Sequence, residues 1–536
     1  MQFQGFRGML YENNKRVGEM MKKISLWGIF LLFLFLFCGC ASEKTAELWV
    51  VTEKGTWDRM NGQLYVLEQT WEESHPGMDI RVEYLPTDQQ ERAVYLQQLR
   101  TEILQGGGPD CYLLPTDNSL ILDEPQQYTY VDVEPLFSDV TLAMQNGLFY
   151  DLSEFYDADD DLGKEGLNTQ IMDAGVVDGK RYVLPLRYDM PVIYAFNDAL
   201  EEAGVDIDVL NKSIDSIMEA VGSTGDPILA SGIFRDSLDV FSDVIDYESG
   251  NAALDENGLS RYMTVYQQLK ADIGSALVVN PWTEKSEPFQ KLYAEGIIAV
   301  EELNVEHYLW EFFYGINFAS ETMWEYCPIW IGSMQDAFDY VPVSQYEDRE
   351  LTVTPMRTME GDVVATVTYY AAVGSGCSDP GLAYDFLRQF LLEESQWEHN
   401  RPKRNHTKPL KGLGNTANDL QYPGLIENGW PVRDDGDLDQ LWYIRRKQFY
   451  NYRYIGASVE AERRMRRIGR MGEFEEEWMP LFDITIDEVR FNTTLSDDFA
   501  DVLARLNDSE NKPTQADIDT LTQQLIWNLR WHVSEG

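Results

Sequence analysis

The stretch Leu99-Arg100-Thr101-Glu102-Ile103-Leu104-Gln105-Gly106-Gly107-Gly108-Pro109-Asp110-Cys111-Tyr112-Leu113-Leu114 contains the end of a helix, a turn and a strand. Leu96, Leu99 and Ile103 recur at helical spacing, and an apolar run follows the turn. The three glycines end the helix, because glycine readily adopts the left-handed conformation of a C-terminal cap. A phosphate-binding loop would need its glycines between a strand and the start of a helix, so we expect none here.

The segments before this stretch predict an alternation of strands and helices. Leu48–Val51 is a short apolar run, and Leu64, Leu67 and Trp71 then recur at helical spacing. Pro76-Gly77 ends that helix, and apolar and polar residues alternate from Ile80 to Tyr84. The resulting βαβαβ order predicts an α/β fold with a mostly parallel sheet covered by helices.

The N-terminal region predicts export. Met21-Lys22-Lys23 precedes the apolar run Ile24–Phe37, which ends in Cys38-Gly39-Cys40. A basic start, an apolar run of this length and a small residue before the cut are typical of a secretory signal peptide, here residues 1–39. A membrane-spanning helix would need about 20 apolar residues. Translation can begin at Met1, Met20 or Met21, and a start at Met20 or Met21 would leave the preceding residues untranslated.

Gly39-Cys40 resembles a bacterial lipobox, in which the cysteine is lipidated and becomes the new N-terminus. We therefore expect residues 40–45 to form a lipidated tether that holds the protein on the outer face of the cell membrane. Residues 1–39 carry five basic and two acidic side chains, so their removal takes the formal charge from −48 to −51. Such a charge excludes nucleic acid and anionic lipid surfaces as partners.

Cysteine and histidine patterns give no sign of a metal site, a cofactor or a histidine-based catalytic cluster. After processing, three widely separated cysteines remain, and no CxxC or Cys/His spacing typical of zinc occurs. The five histidines are scattered along the chain. We therefore expect no cofactor. The sequence also contains no nucleophile elbow, zincin motif or metal triad, and we expect a protein that is not an enzyme.

Four motifs together resemble the extracellular solute-binding proteins of ABC importers, in the family that includes the maltose-binding protein and other oligosaccharide receptors. They are Leu99–Leu114; Gly179–Leu186 followed by Ile193–Leu200; Phe289–Val300; and Tyr370–Val373 with Ala383–Leu387. They occur in the order found in that family and cover residues 46 to about 400.

The resemblance implies a two-lobe clamp in which each lobe is a mostly parallel sheet flanked by helices, with a helical C-terminal region. Lobe 1 would contain residues 46–188 and 351–395, and lobe 2 residues 189–350 and 396–536. The chain would cross between the lobes near Arg187–Met190, Leu351–Pro355 and Glu394–Asn400.

Candidate ligand contacts come from loops that follow strands, because ligands of open α/β sheets bind beyond the carboxyl ends of the strands. Trp and Tyr can pack on the apolar faces of sugar rings, and Asp, Glu and Asn can bind the hydroxyls. The same loops also offer Lys54, Thr116 and Asn304. The predicted ligand-binding residues from these segments are Trp57, Asp117, Asn118, Tyr188, Asp189, Glu306, Tyr308 and Trp310. Trp442 is added because Leu441-Trp442-Tyr443 resembles a C-terminal helix position where sugar-binding members of the family place a stacking aromatic.

The leading hypothesis is therefore a lipid-anchored, monomeric receptor that binds a solute, expected to be an oligosaccharide, and delivers it to the permease subunits of an ABC importer. Two alternatives stay open. The same fold could bind a polyamine or a cationic peptide, because acidic residues are plentiful. A secreted glycoside hydrolase would need two carboxylates that flank the scissile bond.

Four local features complete the interpretation. Asp379 and Pro380 predict the start of a helix with a buried apolar stripe. Asp157–Asp161 lacks the glycine and glutamate of a calcium loop, which favours a solvated acidic loop. Arg463–Arg470 is a basic run, and Ile518–His532 predicts a final amphipathic helix.

Overall fold

The structure, a computed structural model, defines two compact units within the part of the chain that it describes. The first unit contains residues 46–48 and 68–81, and the second contains residues 49–67 and the described residues from 82 onward. The described residues are 46–53, 59–116, 119–124, 127–225, 227–230, 232–279, 329–334, 350–396, 429–434, 484–507 and 514–535.

The N-terminal alternation of strands and helices is confirmed. Asp88 caps the second helix by accepting the backbone N–H groups of Gln90 and Glu91 at 3.0 and 2.9 Å. Gly106 and Gly108 follow that helix with φ angles of +78° and +94°, the conformation expected after a helix end. The elements are β1 (Ala46–Thr52), α1 (Arg59–Ser74), β2 (Met78–Tyr84), α2 (Gln89–Leu104) and β3 (Cys111–Pro115).

The first unit has its own local contacts. The Glu72 carboxylate accepts the backbone N–H of Ile80 at 2.8 Å. The rings of Trp71 and His75 stack with centroids 4.0 Å apart, and Trp71 is buried. These contacts tie the end of α1 to the start of β2.

The chain then forms small elements before it re-enters the larger sheet. They include a hairpin of β4 (Ser119–Glu124) and β5 (Gln127–Asp132). The remainder are α3 (Val140–Gln145), α4 (Ser153–Ala158), α5 (Thr169–Asp173), β6 (Val176–Val177) and β7 (Lys180–Arg181).

Two consecutive strands belong to different sheets. β8 (Val183–Asp189) lies in the larger sheet, whereas β9 (Pro191–Phe196) is the central strand of an antiparallel sheet with β12 (Ile329–Ser333) and β13 (Leu351–Pro355). Only Met190 separates β8 from β9, so the chain changes sheets within one residue.

The larger sheet is mixed. It also contains β14 (Val364–Val373), β15 (Trp430–Pro431) and β16 (Glu488–Phe491), and its strand order is β15-β8-β14-β3-β1-β2, with β16 beside β14. β1 and β3 are parallel, but β14 runs antiparallel to both β3 and β8. The expected α/β class is confirmed, and the central strand β14 makes the sheet mixed rather than mostly parallel.

A hydrophobic cluster packs on the three-stranded sheet and draws on distant parts of the chain. It includes the buried residues Leu259, Phe499 and Leu529, which belong to α9 (Glu256–Val279), α12 (Leu495–Asn507) and α13 (Gln515–Glu535). The final helix, predicted over 518–532, is confirmed as α13. The helices that follow β9 are α6 (Asn197–Ala203), α7 (Ile214–Gly222), α8 (Pro227–Ala230), α9 (Glu256–Val279), α10 (Pro380–Leu387), α11 (Glu393–Gln396), α12 (Leu495–Asn507) and α13 (Gln515–Glu535), with the short strands β10 (Ile245–Asp246) and β11 (Asn251–Ala252) between α8 and α9.

The predicted helix start at Asp379 and Pro380 is confirmed. The Asp379 carboxylate accepts the N–H of Leu382 at 3.1 Å, and Pro380 is the first residue of α10. The predicted stripe is fully buried, although its last two residues belong to a 3-10 turn. The stripe is Ala383, Phe386, Leu387, Phe390 and Leu391.

The acidic segment 157–161 is exposed at four of its five residues, as expected of a solvated loop, and only Asp159 differs. Asp159 accepts the hydroxyl of Tyr384 at 3.0 Å and two N–H groups of Arg388 at 2.5 and 2.9 Å. These bonds tie the turn after α4 to α10 and its 3-10 extension. Asp159 therefore has a packing role.

The predicted lobe boundaries remain predictions, but the sheet to which each strand belongs can be compared with them. The change of sheet at Met190 coincides with the first expected crossing. β13 pairs with β9 in the smaller sheet, whereas the prediction puts residues 351–355 in lobe 1. β15 and β16 pair with β8 and β14, whereas the prediction puts residues 396–536 in lobe 2.

Several predictions fall outside the described residues, among them the signal peptide 1–39, the lipidated Cys40, the motif Phe289–Val300 and the basic run 463–470. Among the residues that the structure describes, we find no helix that is long and apolar enough to cross a membrane.

Candidate functional site

Three strands of the larger sheet end at the same edge. β1 and β3 are parallel, with Thr52 opposite Leu113. β14 is antiparallel to β3 and to β8, so β3 and β8 run in the same direction. Tyr369 of β14 lies opposite both Pro115 and Arg187. We call the region formed by residues 52–53, 115–116 and 187–189 the carboxyl edge.

The carboxyl edge is also the place where the chain leaves the sheet. Oδ1 of Asp189 accepts the backbone N–H of Met334 at 3.1 Å, and the same N–H donates to the carbonyl of Met190 at 3.1 Å. The last residue of β8 is thereby bonded to the residue after β12. Asp189 is half-buried, and its first role in this structure is to fix the crossing.

Tyr188, the other predicted contact on β8, is almost fully buried. It lies opposite Val367 of β14 and Trp430 of β15. Burial, and then the carboxylates of Asp434 and Asp189, raise the pKa of the Tyr188 phenol well above its usual range. The phenol is therefore neutral at physiological pH and can offer a hydroxyl but not a charge.

Arg187 is the residue at this edge that the sequence analysis missed. Its side chain is only 2 % exposed. Among the described residues its guanidinium makes a single hydrogen bond, from Nη1 to the carbonyl of Leu186 at 2.9 Å. Burial lowers the pKa of Arg187 to about 9, so the side chain still carries its charge at neutral pH. The available signal was a lone basic residue in the apolar run Val183–Met190.

Other buried arginines are compensated. Arg92 donates to both carboxylate oxygens of Glu53 and to the carbonyls of Pro86 and Glu134. Arg433 donates to three backbone carbonyls at 3.0–3.1 Å. Arg187 thus differs from both in having only one hydrogen-bond acceptor for its guanidinium among the described residues.

The remaining polar groups of the edge are used within the fold. The Thr116 hydroxyl donates to the carbonyl of Val367 at 2.6 Å, and its backbone N–H donates to that of Thr368 at 2.9 Å. The hydroxyls of Thr52 and Tyr369 lie 3.3 Å apart. Thr116, which the sequence offered as a ligand contact, therefore holds β3 against β14.

The structure places two of the nine predicted ligand-binding residues, Tyr188 and Asp189, next to each other on the carboxyl edge. The described residues Glu53 and Thr116, which precede two of the predicted loops, belong to the same edge. The other seven predicted residues lie outside the described parts of the chain: Trp57, Asp117, Asn118, Glu306, Tyr308, Trp310 and Trp442.

A concave region lies away from the carboxyl edge. A cavity of about 580 Å³ is lined by residues of α2, α3 and α13. Asp139 in its wall accepts the N–H of Leu142 at 3.0 Å and the hydroxyl of Tyr247 at 2.9 Å, and lies 3.2 Å from Nε2 of His532. These bonds occupy the Asp139 carboxylate, so this group joins α3 to the C-terminal helix.

Metal binding has no support in the described part of the chain. No group of three or more His, Cys, Asp and Glu side chains there could hold a metal ion. Burial raises the pKa of the Cys377 thiol to about 12, and that of Cys111 is also raised well above its usual range. Neither thiol is therefore activated as a nucleophile or ligand.

Comparison with known proteins found no matching family model and no matching curated protein. Among solved structures, the chain is similar to a family 1 extracellular solute-binding protein from Alicyclobacillus acidocaldarius, with 13 % identity, 91 % of this chain and 100 % of that chain covered, and a TM-score of 0.42. The chain is also similar to a periplasmic solute-binding protein from Pectobacterium atrosepticum, with 12 % identity, 91 % of this chain and 99 % of that chain covered, and a TM-score of 0.46. A third similar structure is an ABC substrate-binding protein from Listeria monocytogenes in complex with cycloalternan. The identity is 12 %, 91 % of this chain and 99 % of that chain are covered, and the TM-score is 0.41.

Proposed function

We propose that this protein is a lipid-anchored extracellular receptor that binds an oligosaccharide between two lobes and delivers it to an ABC importer. Two lines of reasoning support the proposal. The four sequence motifs occur in the order of the solute-binding family. Two of them fall on β3 and on the β8–β9 crossing, which meet at the carboxyl edge.

The observation that carries the proposal is the coincidence of two features at one place. The ends of β1, β3 and β8 meet at the carboxyl edge, and ligands of open α/β sheets bind beyond such ends. At that edge the chain also passes into a second sheet through Met190 alone. A solute bound there would touch both sheets and would stabilise one arrangement of them.

In this mechanism no covalent chemistry occurs. The solute stabilises a closed form because groups from both lobes contact it only in that form, and the importer recognises closure. Arg187–Met190 and Leu351–Pro355 would be two of the hinges. Aromatic rings would pack on the sugar faces, and polar side chains at the ends of the strands would bind the hydroxyls.

The proposed location depends on Cys40. Acylation there, with two or more chains, would hold the protein stably to a membrane. We expect Cys40→Ala to abolish lipidation and to release the protein from membranes into the medium, as measured by fractionation and mass spectrometry. Membrane association of a protein that starts at residue 41 would contradict the anchor.

The function itself is tested with the protein lacking residues 1–40. Calorimetric titration with oligosaccharides should give saturable binding of one solute per chain, and small-angle X-ray scattering should show a smaller radius of gyration with the solute. Binding without compaction would contradict the clamp. Hydrolysis of the solute that disappears when one Asp or Glu is changed would identify a glycoside hydrolase instead.

A further inference from the structure

We infer that Arg187 is an anion-binding group of the carboxyl edge and that the solute is an acidic saccharide, whose oxyanion pairs with this guanidinium. The inference rests on the proposed function and specifies its substrate class. Arg187 was not among the residues that the sequence predicted as ligand contacts.

The first step is the state of Arg187 in the protein without solute. A buried charge is strongly unfavourable unless it is paired and hydrogen-bonded. Arg187 is 2 % exposed, and among the described residues its guanidinium donates one hydrogen bond, to the carbonyl of Leu186. A guanidinium has five N–H donors, so this single bond leaves most of them unused. The fold therefore maintains a group that destabilises it.

The second step is its position. Arg187 and Pro115 both lie opposite Tyr369 in the sheet, near the ends of β8 and β3, where the proposed solute binds. Arg92 and Arg433, the compensated arginines, have their acceptors within the protein. The uncompensated charge thus lies where a ligand can supply the missing partner.

The third step is the shape of the partner. The bond to Leu186 uses Nη1 and leaves the edge formed by Nε and Nη2, which presents two parallel N–H groups. Carboxylates, sulfates and phosphates accept such a pair in a bidentate manner. A neutral hydroxyl would leave the charge uncompensated, and a polyamine would be repelled. A uronic acid or a sulfated sugar fits these requirements.

The first experiment needs no solute and compares the thermal unfolding of two variants. Arg187→Met removes the buried charge at similar volume and should raise Tm by about 1–2 °C. Arg433→Met is the matched control, because it removes three backbone hydrogen bonds as well as a charge, and it should lower Tm. If Arg187→Met lowers Tm as much as the control does, Arg187 supports the fold and the inference is wrong.

The second experiment measures binding by calorimetry with four probes: trigalacturonate, its full methyl ester, a sulfated disaccharide and a neutral maltooligosaccharide. The wild type should bind an acidic probe at least ten-fold more tightly than the uncharged ones, equal to about 1.4 kcal/mol. Arg187→Met should lose that preference. A preference for trigalacturonate identifies the oxyanion as a carboxylate, and one for the disaccharide identifies it as a sulfate.

Two outcomes separate the inference from the proposed function. If the wild type and Arg187→Met bind the neutral saccharide equally well and neither prefers an acid, the inference fails while the receptor function stands. If the wild type binds none of the saccharides, the proposed function fails and the inference fails with it.

Discussion

Gly429 adopts φ +105° next to the carboxyl edge, where only glycine fits. A Cβ there would lie 2.3 Å from Oγ1 of Thr368 and 2.6 Å from the carbonyl oxygen of Tyr188. We expect Gly429→Ala to lower the free energy of unfolding by about 2 kcal/mol more than Gly361→Ala does. Gly361 is the matched control, because it has φ +99° with no atom within 4 Å of its Cβ position. Equal losses in chemical denaturation would show that residue 429 tolerates a side chain.

Asp189 fixes the crossing between the sheets, and we propose that it also binds the solute; one substitution can separate these two roles. Asp189→Asn keeps an oxygen that can accept the N–H of Met334, so stability should change by less than about 0.5 kcal/mol. The loss of the charge should weaken binding of a hydroxyl-bearing solute about ten-fold. Denaturation and calorimetry measure the two effects on the same protein. Unchanged affinity would restrict Asp189 to its role in the crossing.

At the scale of single elements, strand β16 contains Glu488, whose carboxylate is partly buried among other acidic side chains. Burial raises the pKa of Glu488, and nearby acids raise it further while Arg490 lowers it. Its Oε2 has no hydrogen-bond partner within the described part of the chain. Because the folded-state pKa is above the ordinary value, the protein loses stability as pH rises from about 4.5 through the raised pKa.

We therefore expect Glu488→Gln to stabilise the protein at pH 7, by about 1 kcal/mol or less. The difference from the wild type should shrink as pH falls towards 4.5, where the wild-type carboxyl is protonated in the folded state. Urea denaturation at pH 7.5, 6 and 4.5 measures this dependence, with the exposed Glu248→Gln as the control. A constant difference at all three pH values would contradict it.

The sequence predicted those elements that are specified locally. Periodicity and turn residues defined the strands and helices from Leu48 to Leu114, and Asp379-Pro380 marked α10, because a cap and a helical stripe depend on near neighbours. The direction of β14 was not predicted, since parallel and antiparallel pairing depends on partners far along the chain. The same holds for the strand positions of Glu488 and Trp430.

The candidate site was predicted only in part, for a related reason. Tyr188 and Asp189 were found because they follow a recognisable motif and end a strand. Arg187 was missed because its significance depends on how few hydrogen-bond partners its guanidinium has among the described residues, which only the folded arrangement reveals. Asp159 was taken for a surface group because its partners, Tyr384 and Arg388, lie more than 200 residues away.

At the scale of the whole molecule, the hydrophobic cluster on the three-stranded sheet depends on the C-terminal helix. Leu529 is completely buried within it. Leu529→Ala should lower the free energy of unfolding by about 2–5 kcal/mol through lost burial and the cavity left behind. Trp527→Ala, on the exposed side of the same helix at 60 % exposure, should change it by about 0.5 kcal/mol or less. Similar losses in both variants would show that α13 does not pack as described.

The larger sheet can be completed only late in synthesis, because its strands β15 and β16 lie near the C-terminal end of the chain. β8 ends at Asp189, but the strands that pair with it and with β14 emerge from the ribosome only with Trp430–Pro431 and Glu488–Phe491. At about 5–20 residues per second, the larger sheet stays unfinished for roughly 15–60 s after β8 has been made. During that interval the nascent chain has unpaired strand edges that can pair with other chains. We therefore expect chaperones to bind the growing chain between residues 190 and 490, and expression at lower rates of synthesis to increase aggregation when they are absent.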